Sequence, residues 1–279
     1  MDEYVLLDHG SGGTRSAELI DRVFRARFSN PALDADTDAA VLPLCDGRSL
    51  TEGARLAVST DAHAVKPRFF PGGDIGTLAV TGTVNDLAVS GAIPRQLTAT
   101  FVIEEGFAIS ELERIAESMV RAAAQAGVEI VAGDTKVAER GDCDGLFIST
   151  TGLGVIPPSY LGIAEGRGIR EGDHVLVTGS LANHGAAIAC ARNGLETEEP
   201  IRSDCADLSA LIHAVLREVQ GVRFMRDATR GGAATVLCEI AERRGLEIVL
   251  EERAIPVREP VAALCEMFGY DPLYLANEG

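Results

Sequence analysis

Residues 81–92 read Thr-Gly-Thr-Val-Asn-Asp-Leu-Ala-Val-Ser-Gly-Ala, and the chain is organised around this stretch. Its apolar positions, which recur at helical spacing, are Val80, Val84, Leu87 and Ala88. They predict a helix with one face on a core, so that Asn85 and Asp86 point toward another face. Burying an adjacent amide and carboxylate is unfavourable unless something pairs with them. A divalent cation is one such partner, because hard cations take oxygen ligands; a solvated helix turn is the alternative.

Further carboxylates stand at the ends of predicted strands. A strand-like run follows Asp38, another ends at Asp61, and a third ends at Asp134 and is followed by Lys136. A single Asp in such a place is usually a turn former. Carboxylates at strand ends beside glycines are also typical of sites where the backbone approaches a ligand closely. Magnesium is usually held by a few carboxylates plus substrate phosphates. Together with Asp86, these settings indicate a magnesium–nucleotide site.

A glycine-rich loop opens the chain ahead of a predicted helix at 16–28. The loop residues are His9, Gly10, Ser11, Gly12 and Gly13. A glycine loop that leads into a helix N-terminus is a plausible phosphate cradle. It is not a Walker A loop, because no Gly-Lys-Ser/Thr follows. The alternative is a flexible lead-in segment.

The second half has its own polar group at 224–232, where an apolar run ends and a predicted helix at 233–244 begins. Two glycines lie near that helix N-terminus, and a helix N-terminus favours anions. Arg230 has a fork of donors suited to a phosphate or a carboxylate, and the alternative is a surface pair between Asp227 and Arg230. His184 is interpreted as an exposed loop histidine. From the bare sequence, Glu278 is expected to be solvated.

Composition limits the classes of function. The length of 279 residues suggests one large or two medium domains, and 46% hydrophobic residues suffice for a core. A net charge of −17 argues against nucleic-acid binding, but not against a nucleotide, since magnesium and backbone amides supply a local positive field. The sequence shows no signal-peptide pattern and no run of about 18 apolar residues. Six scattered cysteines without a Cys-x-x-Cys pair give no support for zinc or redox motifs and fit a reducing cytoplasm.

The patterning predicts an α/β (α+β) fold with two α/β domains. For the first half it predicts strands near 39–43, 55–60, 96–103 and 145–155, and helices near 75–90 and 110–126. For the second half it predicts a helix that opens at 180–186, helices at 205–219 and 233–244, and strands at 174–178 and 247–250. The segments are an N-terminal loop and helix at 1–35, a first domain at 36–156 and a second domain at 168–279.

Seven motifs occur in a fixed order along the chain. They are His9-Gly10-Ser11-Gly12-Gly13, Asp38-Ala39-Ala40, Ser59-Thr60-Asp61, Asn85-Asp86-Leu87-Ala88, Gly133-Asp134-Thr135-Lys136, Asp227-Ala228-Thr229-Arg230-Gly231-Gly232 and Ala276-Asn277-Glu278-Gly279. In this order they resemble the ATP-using superfamily of aminoimidazole ribonucleotide synthetase and selenophosphate synthetase. The resemblance is strongest to the hydrogenase-maturation carbamoyl dehydratases, and it spans residue 4 to the end.

The resemblance implies a fold, a reaction and partners. The first domains would pair into a homodimer with a β-barrel across the interface, and ATP would lie between the two halves of each subunit. The implied reaction is ATP-dependent dehydration of a carbamoyl group on a C-terminal cysteine to a thiocyanate, the source of cyanide ligands for [NiFe] hydrogenase. The implied partners are a carbamoyltransferase of the HypF type and an iron–cyanide scaffold of the HypC–HypD type, in the cytoplasm.

The resemblance also implies roles for particular residues. Magnesium would be held by Asp38, Asp61 and Asp86. Proton removal from the carboxamide nitrogen would fall to Lys136 and Glu278, with Asp86 the third catalytic residue. The nucleotide would be contacted by Gly10, Ser11, Gly12, Gly13, Asn85, Asp134, Asp227 and Arg230.

One departure from the family pattern concerns the end of the chain. Family members end in Pro-Arg-Ile-Cys, whereas this sequence ends at Gly279 and its last cysteine, Cys265, lies in a helical pattern. We expect either a truncated chain or one that cannot modify itself. A selenophosphate synthetase would need a reactive cysteine or selenocysteine in the opening loop, which has none. Two alternatives remain, namely another amide-activating synthetase of the superfamily and a non-catalytic nucleotide-binding scaffold.

Overall fold

The structure, a computed structural model, describes residues 2–10, 13–30 and 53–279. Asp38, Ser11, Gly12 and the predicted strand at 39–43 lie outside the described residues. The helix predicted at 16–28 is present as α1 (Gly13–Leu19), a π-helical stretch (Ile20–Arg25) and α2 (Ala26–Phe28). It packs on the sheet through Phe24, whose ring centroid lies 4.5 Å from that of Phe101.

The first half is built on a four-stranded mixed sheet. The strands and the short hairpin are β1 (Arg55–His63), β2 (Phe69–Phe70), β3 (Gly73–Asp74), β4 (Ile93–Glu104), β5 (Glu129–Ala138) and β6 (Leu146–Ile156). The sheet order is β1-β6-β4-β5, and β2 pairs with β3 separately. Among the strands that the structure describes, β4 and β5 are the parallel pair, because α4 (Ile109–Ala126) crosses between them. The predicted strands and helices of residues 55–156 are confirmed.

One face of the sheet is covered by α3 (Ile75–Val89) and α4. Asp74 caps α3, as its side chain accepts the Thr77 N–H at 2.9 Å. The helix approaches the sheet so closely that a Cβ on Gly152 would lie 2.8 Å from side-chain carbons of Leu87 and Thr83. Glycine therefore lets α3 seat directly on β6, and this contact fixes the position of Asn85 and Asp86.

The second half contains helices but no strand within residues 157–279. The α-helices are α5 (Leu161–Ala164), α6 (Asn183–Asn193), α7 (Ser209–Glu218), α8 (Gly232–Arg244) and α9 (Glu259–Phe268). Short 3₁₀ turns lie at Pro158–Tyr160, Glu252–Ala254 and Pro272–Tyr274. The strands predicted at 174–178 and 247–250 are therefore wrong. Their apolar side chains meet no partner strand, and Leu176 and Val249 are 90% and 83% exposed.

The remaining sequence expectations concern membranes and cysteines. Within the described ranges, no helix combines the length and the apolar character that crossing a membrane demands. The described cysteines are free thiols at positions 143, 190, 205, 238 and 265.

Candidate active site

Asp86 lies half-buried on α3, facing β1. Its Oδ2 accepts a hydrogen bond from Ser59 Oγ at 2.6 Å. The pKa of Asp86 is raised to about 6, chiefly by burial; the Ser59 hydrogen bond lowers it, and the negative charges of Asp227 and Asp61 raise it. Two carboxylates predicted from separate motifs, Asp61 and Asp86, therefore lie close together, with Asp227 of the second half beside them.

Asn85, the neighbour of Asp86, is buried and contacts protein backbone on both sides of its amide. Its Nδ2 donates to the Ala206 carbonyl at 2.9 Å, and its Oδ1 accepts the Leu208 N–H at 2.9 Å. The side chain thereby ties α3 to the segment that precedes α7. The structure shows the Asn85 amide bound to backbone of this chain. Its contact with a nucleotide stays a prediction.

Glu278 is half-buried in the same region, so the expectation of a solvated terminal glutamate is wrong. Its backbone N–H donates to Asp204 Oδ1 at 3.1 Å, and its carbonyl accepts the Ala206 N–H at 3.3 Å. Burial raises its pKa to about 8, and the charges of Asp204, Asp227, Asp61 and Asp86 act in the same direction. The carboxyl therefore holds a proton near neutral pH.

Asn277 joins the Glu278 end of the chain to the motif that begins at Asp227. Its Nδ2 donates to the Ala228 carbonyl at 2.9 Å, and its Oδ1 accepts the Ala182 N–H at 2.7 Å. Thr229 Oγ1 donates to Asp227 Oδ2 at 2.5 Å, which orients that carboxylate. Arg230, just before α8, is exposed, whereas Asp227 is half-buried.

Asp134 and Lys136 are not brought to this cluster within one chain. The sheet register runs from Asp61 through Thr150 and Ala99 to Gly133, so β1 and β5 are opposite edges about 14 Å apart. Asp134 and Lys136 lie one and three residues beyond Gly133 on β5. Because successive side chains of a strand alternate, both point to the other face of the sheet. That face is not covered by α3 and α4, and both residues are exposed.

The carboxylates fit a magnesium ion that is shared with a substrate. Among residues 2–10, 13–30 and 53–279, no three His, Cys, Asp or Glu side chains are placed to chelate a metal alone. Magnesium characteristically takes one or two carboxylates and completes its shell with phosphate oxygens and water. Burial raises the pKa values of Asp86 and Glu278, and the charges of neighbouring carboxylates add to the shift; a bound cation would offset this charge. Asp61 and Asp86 therefore suit such a site.

The opening loop can be placed only in part. A 3₁₀ turn, Leu7–Gly10, precedes it and α1 begins at Gly13. The predicted contacts of Gly10, Ser11, Gly12 and Gly13 with phosphate stay predictions.

Sequence reasoning missed or misplaced three residues. Asp204 lies in none of the motifs. Ser59 belongs to the Ser59-Thr60-Asp61 motif, but it was given no role, although it lies two positions before Asp61 on the same strand face. His184 is buried on α6 and not in an exposed loop: its Nδ1 lies 2.9 Å from Ser203 Oγ, and its ring meets Phe70 edge-on. Burial lowers the pKa of His184 to about 4.

Comparison with known proteins places this fold in a defined class. The family model of the AIR synthase related protein N-terminal domain matches residues 36–156, and that of the C-terminal domain matches residues 170–279. The class is thus that of the AIR synthase related proteins.

Individual relatives define the family more narrowly. The carbamoyl dehydratase HypE of Cupriavidus necator is 50% identical over 273 residues, 98% of this chain and 76% of that protein. A crystal structure of hydrogenase maturation protein HypE in complex with ATP has a TM-score of 0.90 at 47% identity, over 99% of this chain and 79% of that one. A HypE–HypF complex matches with a TM-score of 0.76 at 45% identity, over 93% of this chain and 81% of that one. This chain belongs to the carbamoyl dehydratase HypE family, which is a family of enzymes.

Proposed function

We propose that the protein dehydrates a carbamoyl group on a cysteine thiol to a thiocyanate at the expense of ATP, and so supplies cyanide ligands for [NiFe] hydrogenase. The observation that carries the proposal is the Glu278 carboxyl. Burial raises its pKa to about 8, and the charges of Asp204, Asp227, Asp61 and Asp86 act in the same direction. A base is most effective when its pKa lies near the working pH. The ATP complex of a relative supports ATP as the energy source.

The reaction requires activation of oxygen and removal of protons from nitrogen. A carboxamide oxygen is a poor leaving group until it is phosphorylated. Transfer of the γ-phosphoryl group of ATP to that oxygen gives ADP, and loss of phosphate with both nitrogen protons leaves S–C≡N. The overall balance is S-carbamoyl thiol plus ATP to thiocyanate plus ADP and phosphate. Glu278 in its ionised form accepts a proton from the nitrogen.

The acidic residues of the first half would serve the phosphoryl group. Asp61 and Asp86, with Asp38, would hold magnesium, which neutralises charge on the phosphoryl oxygens. Asp227, oriented by Thr229, faces the same carboxylates from the second half and would complete the surroundings of the metal or nucleotide.

The open face of the sheet supports the proposed homodimer. Leu56 and Val58 on β1 are 58% and 60% exposed on this face, and Phe147 on β6 is 37% exposed there. An exposed apolar sheet face is typical of an interface. We propose that the first domains, at 36–156, pair through it into a β-barrel, with the second domain at 168–279 outside. Lys136 lies on this face, so its proposed part in proton transfer depends on the dimer.

Partners follow from the family. The complex of a relative with HypF supports a HypF-type carbamoyltransferase as the donor of the carbamoyl group. A HypC–HypD-type iron scaffold would receive the cyanide. Free cysteines suit the cytoplasm, where thiols stay reduced.

A reconstituted reaction tests the proposal. The chain is incubated with ATP, magnesium and a peptide that carries S-carbamoylcysteine, and phosphate release is measured alongside the peptide mass. We expect phosphate release that depends on the peptide and a peptide mass lower by one water. Phosphate release with a free small-molecule amide, but none with the peptide, would favour the other amide-activating synthetases. ATP binding without turnover of either would favour a nucleotide-binding scaffold.

A further inference from the structure

The segment at 203–208 joins the two halves of the site. The Ser203 N–H donates to the Pro71 carbonyl at 2.8 Å, which attaches the segment to the first half. Asn85, beside Asp86, binds the backbone of Ala206 and Leu208. The Ala206 N–H in turn donates to the Glu278 carbonyl. One short segment therefore contacts both the helix that carries Asp86 and the last residues of the sequence, which include Glu278.

Asp204 is the side chain of this segment that holds Glu278. Its Oδ1 accepts the Glu278 N–H at 3.1 Å. Its Oδ2 is buried with no hydrogen-bond partner among the described residues. The approach is close, since a Cβ on Gly279 would clash with the Asp204 carbonyl oxygen. The carboxylate thus joins the 203–208 segment to the residue proposed as the base.

We propose that Asp204 is a positioning residue, which fixes the backbone of Glu278 so that its carboxyl faces Asp61 and Asp86. The proposal rests on the proposed function for the role of Glu278, but the positioning itself is a separate property. Asn277 anchors the chain one residue earlier through Ala182 and Ala228. Beyond that anchor, Asp204 provides the side-chain contact that fixes the Glu278 amide, and the Ala206 N–H fixes its carbonyl.

Three variants separate positioning from general stability. Asp204→Ala removes the acceptor of the Glu278 N–H, whereas Asp204→Asn keeps an acceptor oxygen of the same size. Asp207→Ala is the matched control, because Asp207 lies in the same segment and its Oδ1 accepts the Ser209 N–H at 2.8 Å without contacting Glu278. Each variant of the full chain is studied by amide hydrogen exchange at Glu278 and by turnover of ATP with the S-carbamoylcysteine peptide.

Asp204→Ala should speed exchange of the Glu278 amide about five- to tenfold, the scale of one lost hydrogen bond. It should lower kcat by about 10²-fold while leaving the KM for ATP unchanged, because misplacement of a reacting group affects chemistry and not binding. Asp204→Asn should restore slow exchange and most of kcat, and Asp207→Ala should change neither.

Two results of these measurements would overturn the proposal that Asp204 positions Glu278. Unchanged Glu278 exchange in Asp204→Ala would overturn the proposal, whatever the activity. An equal acceleration in Asp207→Ala would also overturn it, because the effect would then be a general loosening of the segment. If the wild-type chain shows no turnover, the proposed function fails, and the exchange measurement still decides whether Asp204 positions Glu278.

Discussion

Replacing Glu278 by Gln should stabilise the ligand-free protein at neutral pH. Burial, together with the negative charges of four other carboxylates, raises the pKa of the Glu278 carboxyl from 4.5 to about 8. In the unfolded chain the same group is ionised at pH 7 and fully hydrated. Folding at pH 7 therefore requires a proton that the unfolded state does not hold, whereas glutamine needs none.

The size and the sign of this effect follow from proton linkage. A native pKa above the unfolded value means that the native state binds more protons between the two values, so stability falls as pH rises through that window. At pH 7, about 2.5 pH units above the unfolded pKa, the penalty is about 3 kcal/mol. Near pH 4.5 it shrinks to about 0.4 kcal/mol, because the unfolded chain is then half protonated. The advantage of the glutamine variant should therefore grow from pH 4.5 to pH 8.

Urea unfolding of Glu278→Gln and wild type at pH 4.5, 6 and 7.5 measures the effect. Glu266→Gln serves as the control, because Glu266 is an exposed glutamate on α9 and its replacement should change little at any pH. A glutamine variant no more stable than wild type at pH 7.5 would refute the reasoning. So would an advantage that is the same at all three pH values, since it would then come from packing and not from charge.

Three further variants test other parts of the site. Asp86→Ala should abolish magnesium-dependent ATP binding while leaving the fold intact, and unchanged affinity in isothermal titration would contradict the metal role of Asp86. Asn85→Ala leaves two backbone groups without partners, so it should lower the free energy of unfolding by roughly 1–3 kcal/mol in urea; a loss near zero would mean that water replaces the amide. Lys136→Ala should slow dehydration roughly 10²–10⁴-fold with unchanged ATP affinity. If ATP binding instead weakens by ~1.5–3 kcal/mol and single turnover at saturating ATP stays normal, Lys136 clamps a phosphate.

The first half of the chain could be predicted because its signals are local. Helix periodicity around Asn85 and alternation up to Asp61 each depend on residues within one element. The structure confirms these elements and brings Asp61 and Asp86 together, as their common setting suggested. What the sequence did not show is which sheet face each strand-end residue occupies. That depends on register, and it separates Lys136 from Asp86.

The second half shows where local signals mislead. The run 174–178 is apolar enough for a strand, but a strand exists only when another strand pairs with it, and pairing is a property of distant sequence. Glu278 looked solvated because a glutamate at the end of a sequence usually is. Its burial comes from Asp204, which is remote in the chain. Contacts of this kind carry no periodicity, so the family resemblance identified Glu278 where the local pattern did not.

The site is held together by contacts that do not involve its charges. Asp61 and Asp86 come from the first half and Asp227 and Glu278 from the second, and every pair among them repels when ionised. Their proximity is imposed by neutral clamps: the Asn85 amide on the 203–208 segment and the Asn277 amide on Ala228. Because these clamps act on backbone, they leave the carboxylate oxygens to accept the Ser59 and Thr229 hydroxyls and to meet a ligand. Binding of a cation with phosphate should consequently stabilise the packing of the two halves most strongly at pH values where Glu278 and Asp86 are ionised.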